Sequence, residues 1–194
     1  MDTVDVDFIG TLRLTLRNPR QAARVVMSWP FSQGERWTIL ALAAVSSTLL
    51  AELVATLSPD AVDSKLLMIL EDPVLFAAIQ FASLATIAGL IFIVGRQFGG
   101  VGTFNQGLSI LGWIQFLLLA LQMAQIVSMA LLPPMAVVIG LGSLVLTLWL
   151  LPIFIAELHG FRSALVTFLG IIGTVVSVVV ILSILLVFVL GVGG

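Results

Sequence analysis

Residues 164–190 read ALVTFLGIIGTVVSVVVILSILLVFVL, with no charged side chain. About 20 helical residues, rising 1.5 Å each, cross the roughly 30 Å hydrocarbon of a bilayer. The run is therefore long enough to span a membrane. Four similar stretches precede it, at about 37–57, 74–94, 108–132 and 135–156. Five crossings predict an all-α fold, a polytopic membrane protein built as a bundle of five transmembrane helices.

Composition supports that reading. The 194 residues are 60% hydrophobic and 9% charged, with a mean hydropathy of +1.24. A soluble domain carries about 25% charged residues, because its surface must face water. A net charge of −2 offers no basic excess for nucleic acid. There is no cysteine, which excludes disulfides, iron–sulfur clusters and thiolate chemistry. Asp2, Asp5 and Asp7 stand where a signal peptide would be basic, so the first span is expected to remain as an anchor.

The arginines predict the topology. Arg13, Arg17, Arg20, Arg24 and Arg36 precede span one, Arg96 follows span two, and Arg162 lies between spans four and five. With the N-terminus inside and the C-terminus outside, all seven are cytoplasmic, and Lys65 is the one basic residue of the outer loops. Pro133-Pro134 turns spans three and four into a tight outer hairpin, since residues before proline resist the helical region. The outer loop at about 58–73 is expected to form a short interfacial helix.

Residues 1–36 read as a cytoplasmic or interfacial segment and 37–194 as the membrane domain. Asn18-Pro19 is a helix start: Asn caps free N–H groups, and Pro has no N–H to lose in the first turn. The helix is expected to run to about Trp29 and to lie in the interface. Arg13, Arg17, Arg20 and Arg24 are its candidate lipid-phosphate contacts. Small residues at helical spacing, Ala78, Ala82, Thr86 and Gly89 in span two and Gly170, Gly173, Thr174 and Ser177 in span five, are expected to pack against other spans.

Polar groups within or beside the spans are the candidate sites. Glu52 lies near the outer end of span one. Gln115, Gln122 and Gln125 share one face of span three, and Gln80 of span two is placed to meet it. That face suits interhelical hydrogen bonds or the lining of a substrate path. At the inner ends, Arg96 is expected to pair with Glu157, with His159 and Arg162 nearby. The Gly99-Gly100-Val101-Gly102 string follows a membrane helix and lacks the Lys-Ser/Thr of a phosphate loop, so it reads as a tight turn. His159 is the only histidine and no ligand set has metal spacing. Neither a metal nor a cofactor is expected, and no nucleophile–base pair suggests an enzyme.

These features in order resemble one family. An Asn18-Pro19-Arg20 helix precedes the first span. The loop Gly99-Gly100-Val101-Gly102-Thr103-Phe104-Asn105-Gln106-Gly107-Leu108 follows span two. Pro133-Pro134 breaks spans three and four, and Glu157-Leu158-His159-Gly160-Phe161-Arg162-Ser163 leads into span five. Over about residues 8–190 the chain resembles the bacterial branch of the Yip (Ypt-interacting protein) family, small five-span membrane proteins. The resemblance implies a bacterial inner-membrane location. Eukaryotic members are associated with Rab-type GTPases, membrane curvature and secretory traffic. No counterpart of their long cytoplasmic N-terminal region is expected here, so the Rab role is not carried over. The expected function is a non-enzymatic scaffold, assembly or membrane-organising factor. Membrane lipids, another integral membrane protein or a second copy are its candidate partners. The alternative is a small transporter or lipid-handling protein using Glu52 and the glutamine face.

Overall fold

Side-chain caps and prolines set most of the helix boundaries. The computed structural model describes residues 6–57 and 72–190. Asp7 starts α1 (Phe8–Arg17) by accepting the Gly10 N–H at 2.7 Å. Asn18 ends α1, donating its N–H to the Leu14 carbonyl, and its side chain caps α2 (Pro19–Met27) by accepting the Gln21 N–H at 3.2 Å. Ser32 and Glu35 form a reciprocal box at the start of α3 (Gln33–Leu57). Asp72 and Pro73 open α4 (Pro73–Gln97). Thr103 and Gln106 form a second reciprocal box on α5 (Phe104–Leu131). Leu132 alone separates α5 from α6 (Pro133–His159), so the two prolines turn the chain in one residue. Ser163 leads into α7 (Ala164–Leu190).

Among the described residues, helices α3 to α7 are the five apolar helices long enough to cross a membrane. Together with the all-helical architecture they make this a multi-pass membrane protein. Several run past the expected crossings at the end that carries the arginines: α3 begins at Gln33, α4 reaches Gln97, α5 begins at Phe104 and α6 reaches His159. The extra turns lie where the roughly 40–45 Å of bilayer that includes headgroups still permits an ordered helix. The expected interfacial helix in the outer loop falls largely on residues 58–71, outside the described residues.

Helix α5 sits at the centre. Its first half is buried on all sides, from Gly107 to Ile114. Leu108 and Leu111 face Leu40 and Ala44 of α3 and Leu84 and Ala88 of α4. Ile110, Trp113, Ile114 and Leu117 face the other way, toward Leu150, Phe154 and Leu158 of α6. Into that second cluster fit Ala22, Ala23 and Val26 of α2, all fully buried. Small side chains there let the α2 backbone come close to α5 and α6.

Three expectations change here. Helix α2 was expected to lie in the lipid interface, but its apolar face is covered by protein, so residues before 37 share a core with the bundle. Helix α1 was not anticipated as a helix at all. The small-residue stripes are mostly open: Ala78, Ala82, Thr86, Gly170, Gly173 and Ser177 are exposed, Gly89 and Thr174 are half-buried, and a Cβ on any of the three glycines would meet open space. Lipid tails are as apolar as side chains, so hydrophobicity gives those faces no reason to turn inward.

Candidate functional site at the arginine-rich end

The polar residues of this end are tied into three clusters. In the first, α2 is fastened to α6. Arg24 Nε donates to Glu157 Oε1 at 2.5 Å, and Arg20 stands 3.9 Å from Glu157 Oε2. Arg20 also donates to the Arg162 carbonyl at 3.0 Å. The Glu157 side chain is only 13% exposed, so water screens this pair less than it would an open surface pair. The expected Arg96–Glu157 pair does not form. Helix α2 docks on α6 and brings Arg24 to Glu157 first, while Arg96 stays exposed. Arg20 and Arg24 both engage Glu157, yet their side chains stay 42% and 68% exposed, so part of each guanidinium still faces outward.

The second cluster is a clamp around His159. Helices α4 and α6 end in the same way. Gly99 and Gly160 take the left-handed conformation, with φ +81° and +73°. Gly100 N–H then reaches back to the Gly95 carbonyl, and Phe161 N–H to the Ala156 carbonyl. Both are Schellman caps. They face each other, and His159 is buried between them. Its Nε2 lies 3.0 Å from the Ile91 carbonyl. A carbonyl only accepts, so Nε2 carries the proton. Nδ1 has no partner among the described residues. A Cβ at Gly95 or Gly100 would overlap the imidazole. The glycine string is therefore a turn plus a close-approach surface, with no cradle for phosphate.

The third cluster centres on Arg36, which the sequence reading used only to orient the chain. It is buried and donates to the carbonyls of Trp29, Phe31 and Asn105 at 3.0, 3.0 and 3.1 Å. One guanidinium thus joins the α2–α3 connection to the start of α5. Beside it Trp113 Nε1–H donates to Thr15 Oγ1 at 3.0 Å, linking α1 to α5. Trp29 meets Trp113 edge-on at 5.4 Å.

Helix α1 has three faces. Thr11 and Thr15 are buried, with Leu14 packed beside them. Ile9, Leu12 and Leu16 are exposed and lie within about 60° of one another at 100° per residue, and the half-exposed Phe8 beside them packs on Trp29, Trp113 and Phe116. Arg13 and Arg17 flank that apolar face and are exposed. The signal for this helix was present in the sequence: an Asp7 cap, then apolar residues at 8, 12 and 16.

A family model described as the Yip1 domain matches residues 13–191. The chain belongs to the Yip1 family. Comparison with curated proteins and with solved structures finds no match. In this Yip1-domain protein, the residues quoted above for the resemblance occupy the Asn18 cap, the clamp around His159 and the α5–α6 turn.

The remaining sequence candidates lie within the spans. Glu52 is half-buried near the far end of α3; its carbonyl accepts from Thr56, and its carboxylate has no hydrogen bond among the described residues. Gln80, Gln115, Gln122 and Gln125 are half-buried. No side-chain hydrogen bond joins them among the described residues, so the expected interhelical pairing of the glutamine face is not made. Gln125 packs against Gly140 of α6 rather than turning to α4. The described residues contain no group of three acidic or histidine side chains that could hold a metal.

Proposed function

We propose that this protein is a non-enzymatic membrane-organising factor that acts on the cytoplasmic leaflet, in the inner membrane of a bacterium. The observation that carries the reading is the three-faced α1. One face is bonded to the bundle through Thr15 and Trp113. The next presents Ile9, Leu12 and Leu16 outward, with Phe8 at its edge packed on Trp29, Trp113 and Phe116. The third presents Arg13 and Arg17. An amphipathic helix of this kind rests at the boundary of headgroups and acyl chains, with its arginines at lipid phosphates. Because α1 is tethered to five spanning helices, it occupies area in one leaflet only. Area added to one leaflet bends a bilayer. The arginine count supports the cytoplasmic assignment of that leaflet, and the resemblance to the bacterial Yip branch supports the location. A further membrane protein or a second copy would assemble on the same platform.

The test is reconstitution into vesicles containing phosphatidylglycerol, with vesicle diameter measured by electron cryomicroscopy. The native protein is expected to shift the population to smaller diameters. A Leu12→Glu, Leu16→Glu variant is expected to leave diameters as in protein-free vesicles while its helical content is unchanged. Equal diameters with the native and variant proteins would remove α1 from the function.

A further inference from the structure

Helices α4 and α7 each pack against α6, and between them runs an open groove of about 750 Å³. Its walls are apolar, with Leu90 and Val94 on α4, Ile155 on α6, and Val166, Gly170 and Ile171 on α7. It reaches from Ile87 to Phe98 along α4 and from Ser163 to Val175 along α7. At 1.5 Å per residue both walls are about 17 Å long. That is close to half of the roughly 30 Å hydrocarbon layer. The groove therefore begins at the arginine-rich end and stops near the midplane. A partner's spanning helix would need the full thickness, whereas an acyl chain of one leaflet needs half.

The mouth has the opposite character. Arg162, Ser163 and Thr167 line it. Arg96 is exposed in the same last turn of α4 as the lining residue Gly95. Glu157, the carboxylate nearest in sequence to Arg162, is engaged by Arg20 and Arg24. Among the described residues neither Arg96 nor Arg162 makes an ion pair. Positive charge at headgroup depth above an apolar slot one leaflet long matches an anionic phospholipid.

We propose that the α4–α7 groove binds one anionic phospholipid of the leaflet at the arginine-rich end, with its phosphate at Arg96 and Arg162 and an acyl chain along the groove. This goes beyond the membrane-organising reading and uses no residue of α1, so either can fail alone.

Glycine positions on α7 supply a matched pair of variants. A Cβ at Gly170 or Gly173 meets open space, but only Gly170 lines the groove. Gly170→Trp should fill the groove, and Gly173→Trp should place the same bulk elsewhere on the same helix. The protein is purified after exposure to equal phosphatidylglycerol and phosphatidylcholine, and retained lipid is counted by native mass spectrometry. The native chain and Gly173→Trp are expected to keep one phosphatidylglycerol each, with a preference on the order of tenfold over phosphatidylcholine. Gly170→Trp is expected to lose the lipid, and Arg96→Ala, Arg162→Ala to lose the preference. Retention unchanged by Gly170→Trp, or lost equally in both tryptophan variants, would overturn the proposal. So would a two-chain species that Gly170→Trp alone splits, which would assign the groove to a second copy.

Discussion

Single residues at the clamp differ sharply in what they tolerate. His159 is held between Gly95 and Gly100, so it cannot swing away from an added methyl on either. Gly95→Ala is expected to destabilise by about 1–3 kcal/mol through overpacking. Gly99→Ala meets no atom, yet its φ of +81° costs an L-residue about 1–2 kcal/mol. Gly170→Ala lies mid-helix in open space and should stabilise by about 0.5–1 kcal/mol in a detergent melt. If Gly95→Ala melts like the native protein, the clamp is looser than described. Arg36→Lys keeps the charge but loses the planar fork to three carbonyls. It is expected to cost about 2 kcal/mol, measured by the same melt. These outcomes were only partly legible from sequence. A glycine string announces a turn, but which glycine needs positive φ and which needs to be small depends on what packs against it.

Among the elements, α2 is the one whose placement decides the site. Its Asn18-Pro19 start was readable because capping is local chemistry between residues three apart. Its partner was not, because Glu157 lies 133 residues away from Arg24. Glu157→Gln removes the carboxylate that Arg20 and Arg24 share. The arginines are partly exposed, so the expected loss of stability is small, about 1 kcal/mol or less. The larger expected effect is local: faster proteolysis at the arginines of α2, with the spanning helices intact. Equal digestion of native and variant protein would mean that the apolar face of Ala22, Ala23 and Val26 holds α2 unaided.

At the scale of the whole molecule, the absence of cysteine permits a clean topology test. Val101 is exposed in the turn after α4, and Leu132 is exposed in the turn between α5 and α6. In right-side-out cells a membrane-impermeant thiol reagent should label Leu132→Cys and spare Val101→Cys. The reverse pattern would invert the orientation. Sequence alone determined that there are five apolar helices long enough to cross a bilayer and that Pro133-Pro134 turns the third into the fourth. Length, apolarity, prolines and caps are properties of contiguous residues, and the bilayer requires every backbone group to be satisfied within its own helix. Only the tertiary structure decided which faces meet. In lipid an apolar side chain gains little by choosing protein over acyl chain, so small-residue stripes and glutamines gave no sure direction. Shape, close backbone approach and a few long-range polar contacts made that choice. They put α2 inside, gave Glu157 to Arg24, and left the groove between α4 and α7 unfilled by protein.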